Sequence, residues 1–584
     1  MSTLLHTIIS IREFARSRSF ESATRDPASA QAQVLRGLMA HNADTAFGRA
    51  HGFSHVASAA DYARAVPIAD YEVFRPFVKR IIGGEKRVLT GDDPYMFTTT
   101  SGTTGEPKLL PVTVKWREQM AALTRLWLLR AMRDHPGCLQ HRALTIVSPA
   151  IEGETNTGMP YGAMSGVTYQ RVPWLIRRHY VLPYAVSLIA NCEARYFVAM
   201  RLAMAERVSM IGTPNPSTLI RLALIAEENA EQIIRAIHDG ALGIEEPDMR
   251  THRGLTAQDA IAEIRAAVRP DPRRARFLEN AMARRGSLRP RDAWPELRLI
   301  GCWLGGSVGF QANQLAEHYG DVARRDLGLW ASEGRMTVPT QDETPSGVLA
   351  VHANFYEFVP ENSIEDRNPS VLLAHQLELG QRYYIVISGQ NGLYRYDMND
   401  IVEVTGFYNR TPLVAFVRKG RDMASITGEK VHVQQLQAAI RAAERCARNL
   451  VRQFRVIPDV QNSRYDLLVE FVASQSGDSR LDGNRFIRDF DKALANMNIE
   501  YADKRDSDRL HAPRLCVMRP RWSDKVAAAD FKSGKREAQY KWRQLADEWD
   551  AISNREVVAT AHAASSPTCQ SIHFDSAKAP DDLG

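Results

Sequence analysis

The stretch Thr99-Thr100-Ser101-Gly102-Thr103-Thr104-Gly105-Glu106-Pro107-Lys108 carries the clearest pattern in this chain. It follows a strand-like segment, Tyr95-Met96-Phe97, and runs into the apolar pair Leu109-Leu110. Its glycines let the backbone approach an anion closely, its hydroxyl groups and amides supply hydrogen-bond donors, and Lys108 adds a positive charge. The spacing of a Walker A loop is missing. The composition alone fits both a flexible linker and a loop that binds a polyphosphate.

The composition of the whole chain is that of an ordinary globular protein. It has 584 residues, of which 44% are hydrophobic and 24% are charged. These values exclude a disordered chain, a fibre and a small disulfide-stapled protein. The net charge of +6 is a small excess over this length and does not indicate a nucleic-acid partner. An arginine-rich stretch at 250–291 is interpreted as a solvated helical face, with a phosphate-binding surface as the alternative.

The cysteines and the hydropathy pattern indicate the compartment. The six cysteines are scattered without the spacing of metal ligands or of a disulfide framework. No apolar run reaches the ~20 residues that a membrane-spanning helix needs. We therefore expect a cytoplasmic protein with no membrane and no nucleic-acid partner.

Apolar strand candidates alternate with helical patterns through the middle of the chain, which is typical of an α/β protein. The strand candidates are 143–147, 297–300, 347–351 and 383–387; the helical stretches are 30–41, 71–82, 194–205, 216–228 and 257–268. A charged break at 418–422 is followed by a new helix–strand–strand–helix–strand pattern, which predicts a small separate α+β domain. Residues from about 554 carry little apolar content, so we expect the tail 554–584 to be disordered.

Residue for residue, the loop at 99–108 matches the phosphate loop of adenylate-forming enzymes, and further motifs extend the match over roughly residues 30–545. These motifs are 42–49, 66–68, 215–219, 303–307, 331–334, 354–360 and 394–412. The chain therefore resembles the auxin-responsive promoter family of acyl-acid amido synthetases, within the firefly-luciferase-like adenylating superfamily. The resemblance implies a large N-terminal adenylate-forming domain of layered sheets and helices (1–415), a hinge (416–422) and an α+β C-terminal lid (423–553).

The resemblance also implies the residues that bind ATP and Mg²⁺. The ATP-binding set is Ser101, Gly102, Thr103, Thr104, Gly105, Lys108, Trp330, Ser332 and Asp400. Glu333 is implied to hold Mg²⁺ on the triphosphate and to take part in catalysis, which suits a carboxylate and a hard cation. The family usually has an adenine-stacking aromatic at the position of Leu329, so stacking by the neighbouring Trp330 is one possibility that the sequence leaves open.

Two further positions depart from the usual motifs. The family's Gly-Asp pair stands here as Asn399-Asp400; Asn tolerates a left-handed backbone, so the turn can survive. We expect the Asp400 carboxylate to accept hydrogen bonds from the ribose hydroxyls, with Asp397 as the competitor for this role.

Gly420, Arg421 and Asp422 resemble the superfamily hinge, although a charged surface turn would have the same composition.

A lysine near the C-terminus completes the implied catalytic set. Lys541 lies in Gln539-Tyr540-Lys541-Trp542-Arg543, a context similar to that of the family's lid lysine, which usually precedes Pro-Arg. Its charge would stabilise the acyl carboxylate and the α-phosphate during adenylation. Lys532 and Lys535 are the alternatives.

Residues 151–166 resemble a loop on the substrate side, and an ordinary surface loop fits them equally well.

The resemblance implies an ATP-dependent, AMP-forming ligase. It would activate a carboxylic acid as an acyl-adenylate, release pyrophosphate, and transfer the acyl group to an amine or amino acid. Two alternatives remain: a ligase that forms a thioester with coenzyme A or a carrier thiol, and a non-catalytic nucleotide-binding relative. The long separation of Ser101 from Glu333 and the presence of Lys108, Glu333 and Asp400 argue against them. The sequence leaves the acid, the amine and the oligomeric state unassigned.

Overall fold

The computed structural model describes most of the chain, and its descriptions hold for these residues only. They are 17–100, 108–251, 254–306, 309–364, 366, 369–420, 423–424, 426, 429, 431–447, 450–459, 461–472, 482–506, 510–533, 540–546 and 548–563. The chain divides into two compact units. The first comprises residues up to Lys419 together with 536–540, and the second comprises 420–535 and the residues from Lys541 onward.

The first unit contains helices of four to 21 residues. They are α1 (Pro27–Asn42), α2 (Ala46–Ala50), α3 (Ala59–Ala65), α4 (Tyr71–Ile82), α5 (Val114–Asp134), α6 (Met164–Arg171), α7 (Trp174–Arg177), α8 (Cys192–Ala205), α9 (Pro216–Glu228), α10 (Ala230–Asp239), α11 (Ala257–Ala266), α12 (Pro272–Arg285), α13 (Pro290–Ala293), α14 (Gly309–Ala312) and α15 (Leu315–Tyr319). The helical stretches predicted from the hydrophobic pattern all fall on helices of this set.

The strands of this unit form three sheets. They are β1 (Met96–Thr100), β2 (Lys108–Val112), β3 (Arg142–Thr145), β4 (Gly153–Glu154), β5 (Pro160–Gly162), β6 (Val208–Gly212), β7 (Leu299–Gly301), β8 (Ala323–Arg325), β9 (Thr337–Val338), β10 (Gly347–Leu349), β11 (Phe355–Pro360), β12 (Leu372–Leu373), β13 (Arg382–Ser388), β14 (Tyr396–Tyr408) and β15 (Thr411–Lys419).

Each sheet has its own topology. One four-stranded sheet, in the order β3-β6-β7-β8, is parallel throughout, as the βαβ alternation predicts. A seven-stranded sheet, in the order β12-β11-β13-β14-β15-β10-β9, is antiparallel throughout. The third, β2-β1-β5-β4, combines the β1–β2 hairpin with a parallel β1–β5 pair. The mixture confirms the α/β class.

Helix α4 shows how the sequence sets an element and its buried face. The Asp70 carboxylate caps it by accepting a hydrogen bond from the amide of Glu72 over 3.0 Å, and Gly83 ends it. The buried side chains recur at helical spacing: Tyr71, Phe74, Val78 and Ile81. They join a core that includes Phe358, Ile385 and Val402 of the seven-stranded sheet. A second core lies around the parallel sheet and includes Leu144, Ile211 and Ile300.

The second unit has the α+β composition that the sequence predicts. Its elements are β16 (Met423–Ala424), β17 (Val431–His432), α16 (Val433–Ala447), β18 (Val451–Asp459), β19 (Arg464–Phe471), α17 (Gly483–Met497), α18 (Ile499–Asp506), β20 (Arg514–Met518), α19 (Trp522–Lys532), α20 (Ala551–Arg555) and β21 (Val557–His562). The order of its larger sheet is β18-β19-β20-β21, in which only the β19–β20 pair is parallel.

The C-terminal segment corrects one expectation. Residues 554–584 were expected to be disordered, but β21 pairs antiparallel with β20 from Arg514↔His562 to Met518↔Val557. Its side chains alternate between half-buried and exposed up to the buried Ala561, as in an edge strand. The low apolar content of this segment therefore reflects the position of β21 at the edge of the sheet. Residues 564–584 of the predicted tail lie outside the described part of the chain.

Candidate active site

A β-hairpin carries the predicted phosphate loop. Strands β1 and β2 pair in register from Met96↔Val112 to Thr100↔Lys108, so the loop connects two residues that face each other. The loop residues Ser101, Gly102, Thr103, Thr104 and Gly105 lie outside the described part of the chain. Their predicted roles stay predictions, and Lys108 is the member of this set whose geometry is described.

Lys108 meets two tyrosines of the first unit. Its Nζ donates a hydrogen bond to the hydroxyl of Tyr396 over 3.4 Å. The same Nζ lies 5.7 Å from the centroid of the Tyr71 ring, within the range of a cation–π contact. The Tyr71 hydroxyl donates to the carbonyl of Leu109 and accepts from its amide, both over 2.9 Å. The lysine is therefore held beside aromatic side chains to which the sequence assigned no part in the site.

A tight turn displays Ser332 and Glu333. Ala331 and Gly334 close it with two reciprocal backbone hydrogen bonds, 2.9 Å from the Ala331 amide and 3.2 Å from the Gly334 amide. The carbonyl oxygen of Glu333 accepts hydrogen bonds from the indole Nε1 of Trp116 and from the side-chain amide of Asn391, each over 3.2 Å. Trp116 and Asn391 are fully buried, and both were missed because they lie far from Glu333 in the sequence.

Electrostatics links this turn to the lysine. Burial raises the pKa of the Tyr396 hydroxyl well above its ordinary range, and the charge of Glu333 is the next largest cause. The Glu333 carboxylate thus acts on the same hydroxyl that accepts from Lys108. Lys108 and Glu333 therefore both influence the Tyr396 hydroxyl, the lysine through a hydrogen bond and the glutamate through its charge.

The donor set fits a cation that arrives with the triphosphate. Among the described residues, no cluster of three or more His, Cys, Asp and Glu side chains could hold a metal ion by itself. Glu333 offers a carboxylate on a half-buried turn, which suits a hard cation that keeps most of its oxygen ligands from phosphate and water. The magnesium assignment of Glu333 stays a prediction.

Leu329 and Trp330 occupy different surroundings. Leu329 packs against the core that includes Phe358, whereas Trp330 lies half-buried on the core around the parallel sheet. The guanidinium carbon of Arg335 lies 5.3 Å from the centroid of the Trp330 ring. Because Arg335 is buried, the pKa of its guanidinium is lowered to about 9. The Trp330 ring is therefore held in place, and its stacking on adenine stays a prediction.

The side chains of Asp397 and Asp400 differ in their hydrogen bonds and in their burial. Asn399 has a φ of 52°, which confirms that asparagine replaces glycine in a left-handed turn. The Asp397 carboxylate accepts a hydrogen bond from the Asn399 amide over 2.7 Å, so this side chain closes the turn. Asp400 is 3% exposed and lies opposite Lys419 in the β14–β15 ladder. The two carboxylates thus differ in their surroundings, and the assignment of the ribose to Asp400 stays a prediction.

The predicted substrate-side loop continues the sheet of the phosphate hairpin. Strand β5 pairs parallel with β1 through Phe97↔Tyr161 and Thr98↔Gly162. The loop between β4 and β5 is closed by a hydrogen bond from the Thr155 amide to the carbonyl of Met159 over 2.9 Å. The strands β4 and β5 of the segment 151–166 thus lie in the same sheet as the phosphate hairpin, whereas residues 164–166 begin α6. The substrate-side role of the segment stays a prediction.

In the second unit, Lys541 is exposed on an anchored segment. The neighbouring Trp542 is buried, and its Nε1 donates to the carbonyl of Phe454 over 2.7 Å. The Arg455 guanidinium carbon lies 4.4 Å from the centroid of the Trp542 ring. Tryptophan at the family's usual proline position therefore anchors the segment that presents Lys541. The catalytic role of Lys541 stays a prediction.

The predicted hinge coincides with the division between the units. The first unit's main segment ends at Lys419 and the second begins at Gly420, both inside 416–422. Arg421 and Asp422 lie outside the described residues. Movement about this segment stays a prediction.

Across the described residues, no helix has the length and apolar composition needed to cross a membrane.

Curated relatives match most of the chain at low identity. The indole-3-acetic acid-amido synthetase GH3.3 of Arabidopsis thaliana is 23% identical over 459 residues, which cover 76% of this chain and 75% of the relative. The jasmonoyl–L-amino acid synthetase JAR4 of Nicotiana attenuata is 23% identical over 443 residues, covering 73% of this chain and 74% of the relative.

Solved structures share the fold. The AtGH3.15 acyl acid amido synthetase in complex with 2,4-DB matches with a TM-score of 0.82 and 20% identity, over 96% of this chain and 98% of that one. A 2-hydroxyisobutyryl-CoA ligase in the postadenylation state matches with a TM-score of 0.54 and 13% identity, over 91% and 92%. Models of the GH3 family N-terminal, central and C-terminal domains match residues 16–323, 347–419 and 434–548. The chain belongs to the GH3 family.

Proposed function

We propose that this protein is an ATP-dependent acyl-acid amido synthetase. It activates a carboxylic acid as an acyl-adenylate with release of pyrophosphate, and an amino acid then attacks the activated carbonyl to give an amide and AMP. The observation that carries the proposal is the hydrogen bond from Lys108, in the phosphate hairpin, to the hydroxyl of Tyr396, in a chain of the GH3 family. The charge of Glu333 also raises the pKa of this hydroxyl. The relatives named above are amido synthetases, which supports the choice of an amide product.

The residues act in this scheme by position and charge. Ser101, Gly102, Thr103, Thr104 and Gly105 hold the β- and γ-phosphates, and Lys108 balances their charge. Ser332 and Trp330 bind the nucleotide, and Asp400 binds the ribose hydroxyls. Mg²⁺ bound through Glu333 supplies Lewis-acid neutralisation of the triphosphate. These interactions stabilise the charge that develops as a carboxylate oxygen attacks the α-phosphorus.

The second unit supplies Lys541 for the adenylation step. A lysine ammonium stabilises both the attacking carboxylate and the α-phosphate, and loses that use once the acyl-adenylate has formed. Rotation about Gly420, Arg421 and Asp422 then changes the groups that face the adenylate for the amide-forming step. The buried Trp542 beside Lys541 anchors this segment within the second unit through its hydrogen bond to the carbonyl of Phe454.

A cytoplasmic location completes the proposal. ATP is its substrate, and among the described residues Cys138, Cys302 and Cys516 are free thiols. The names of the relatives refer to amides of indole-3-acetic acid and of a jasmonoyl group, which supports a largely apolar carboxylic acid as the substrate class.

Product analysis tests the choice between amide and thioester. The purified protein is incubated with ATP, Mg²⁺ and a panel of apolar carboxylic acids, together with either the twenty amino acids or coenzyme A. We expect an acyl–amino acid and AMP in equal amounts, and no acyl-CoA; Glu333→Ala serves as the inactive control. Formation of acyl-CoA without amide would make the protein a thioester ligase of the same superfamily.

A further inference from the structure

Trp330 and Arg335 face each other on the two sides of a turn. They form an antiparallel bridge, and the Met336 amide donates to the carbonyl of Leu329 over 2.8 Å, so residues 329–336 form a short hairpin. Side chains at directly opposite positions of such a pair lie on the same face and contact each other. The guanidinium carbon of Arg335 accordingly lies over the Trp330 ring, 5.3 Å from its centroid.

Hydrogen bonds fix the Arg335 guanidinium in this place. The residue is 1% exposed, its Nη1 donates to the Thr124 hydroxyl over 2.8 Å, and its Nη2 donates to the carbonyl of Leu327 over 2.7 Å. The Thr124 hydroxyl in turn donates to the carbonyl of Met120 over 2.9 Å. Because the guanidinium is planar, two such bonds fix the orientation of the whole group.

Helix α5 holds the 329–336 hairpin at two places. At the tip, the indole Nε1 of Trp116 donates to the carbonyl oxygen of Glu333 over 3.2 Å. At the base, Thr124 accepts from Arg335. The base of the hairpin, which carries the Trp330 ring, is therefore tied to the same helix as its tip.

The Trp330 ring is half-buried, and the guanidinium limits its freedom to turn. An indole can exchange between staggered rotamers, each of which directs the ring differently. Burial lowers the pKa of the Arg335 guanidinium to about 9, so the group keeps its charge at physiological pH. A desolvated cation over a ring stabilises that one arrangement of the ring. A ring that is already ordered loses less entropy when a flat ligand stacks on it.

We propose that Arg335 is a positioning residue for the nucleotide: its guanidinium holds the Trp330 ring in the orientation in which it stacks on the adenine of ATP. The proposal rests on the proposed function, which assigns Trp330 to the nucleotide. Arg335 acts on the base through Trp330 and has no part in holding the phosphates. Its loss should therefore weaken the binding of ATP and leave the binding of a polyphosphate without a base unchanged.

Calorimetric titration with ATP, without acid, tests this in four proteins: wild type, Arg335→Met, Trp330→Ala and the double variant. Because a base stacks on an aromatic ring with substantial affinity, Trp330→Ala should weaken ATP binding by at least about tenfold. We expect Arg335→Met to weaken it about fivefold in the wild-type background and by less than about twofold in the Trp330→Ala background. Equal losses in both backgrounds, or no loss in the wild-type background, would overturn the proposal.

Inorganic tripolyphosphate is the second ligand, because it carries the charge of the triphosphate without a base. Arg335→Met should change its Kd by less than about twofold. A loss for tripolyphosphate as large as that for ATP would mean that the substitution disturbs the phosphate side of the site, and would overturn the proposal.

Thr124→Val is a milder variant for the case that Arg335→Met does not fold. It removes the acceptor of Nη1 and keeps the guanidinium with its bond to Leu327. We expect ATP binding to weaken about threefold in the wild-type background and to stay unchanged in Trp330→Ala. An equal loss in both backgrounds, or none in either, would contradict the positioning role.

Arg274→Met is the matched control. Arg274 likewise lies over an aromatic ring, with its guanidinium carbon 4.9 Å from the centroid of Phe277. It donates to the carbonyls of Met204 and Ala293 over 2.7 and 2.9 Å, among the helices around the parallel sheet. Its substitution should leave the Kd for ATP unchanged, and a loss equal to that of Arg335→Met would indicate general destabilisation and contradict the proposal.

Pyrophosphate release separates this inference from the proposed function. ATP binding with the expected coupling but without acid-dependent release would refute the proposed function alone. Acid-dependent release in a protein whose ATP affinity is the same with and without Trp330 would refute the positioning role alone. A wild-type protein that binds no ATP would refute both.

Discussion

The indole Nε1 of Trp116 and the side-chain amide of Asn391 both donate to the carbonyl oxygen of Glu333, each over 3.2 Å. Trp116 lies on α5, directly after the phosphate hairpin, and Asn391 lies in the turn before β14. Two separate elements thus fix one carbonyl at the tip of the 331–334 turn. The carboxylate of Glu333 is thereby positioned through its own backbone.

The Asn391→Ala variant tests this support. Removing one of the two donors lets the turn shift, and the loss of such a positioning contact typically costs 10–100-fold in metal affinity or activity. We expect acid-dependent pyrophosphate release to fall by about 10–100-fold and the Mg²⁺ concentration for half-maximal rate to rise. Asn229→Ala is the control, because Asn229 also donates to a backbone carbonyl, that of Ile225, on the helices around the parallel sheet. A rate unchanged from wild type in Asn391→Ala would contradict the positioning role.

The variants Glu333→Ala and Lys541→Ala test the two catalytic assignments. Each removes a charge that stabilises the adenylation transition state, so we expect the rate of adenylation to fall by roughly 100-fold or more while the thermal unfolding curve stays that of wild type. Lys492→Ala provides the control for Lys541, since Lys492 is also an exposed lysine of the second unit. Wild-type activity in both catalytic variants would remove these assignments.

The Asp400→Asn variant tests the ribose site. Hydrogen bonds from ribose hydroxyls to a carboxylate are stronger than those to an amide oxygen, so we expect the KM for ATP to rise about 10–100-fold. The wild type should also prefer ATP over 2′-deoxy-ATP, and Asp400→Asn should lose most of that preference. Asp397→Asn should keep the preference, because the Asp397 carboxylate accepts from the Asn399 amide. Loss of the preference in Asp397→Asn alone would exchange the two roles.

Because His352 is buried, we expect the first unit to lose stability toward unfolding in acid. Burial lowers the pKa of its imidazole from 6.5 to about 4. As pH falls from 6.5 toward 4, the unfolded chain takes up a proton that the folded chain does not, so stability is lost with acid. Between pH 7.5 and 5 this one group should remove about 2 kcal/mol from the free energy of unfolding.

The matching measurement is urea unfolding of wild type and His352→Gln at both pH values. We expect the variant to lose less stability than wild type on acidification, by about the 2 kcal/mol given above. The same pH dependence in both proteins would show that His352 does not titrate in this way. The ring lies edge-on to Phe20 with centroids 5.5 Å apart, so glutamine also loses a packing contact at both pH values, and this loss cancels in the comparison.

The sequence predicted those parts of the molecule that depend on local pattern. Helical spacing predicted α4, and the tolerance of asparagine for left-handed geometry predicted the turn at Asn399, which has a φ of 52°. The α/β alternation predicted the parallel sheet. In each case the residues that determine the element are neighbours along the chain or recur at the regular spacing of a helix or strand. No knowledge of the tertiary fold is therefore needed to predict it.

The sequence could not predict the contacts that position the site. Trp116 and Asn391 lie 217 and 58 residues from Glu333, and nothing in their local sequence indicates that they share an acceptor. The hydroxyl of Tyr396 meets Lys108 across 288 residues. The strand β21 was missed for a related reason, because an edge strand needs little apolar content and is fixed mainly by its partner β20.

The most direct test of the central claim is pyrophosphate release by the purified protein with ATP and Mg²⁺ across a panel of carboxylic acids, with hydroxylamine as a generic amine. We predict release that depends on the acid and on Glu333, with one hydroxamate and one AMP formed per pyrophosphate. ATP binding by calorimetry without acid-dependent release or hydroxamate formation on any acid of the panel would contradict an adenylating function.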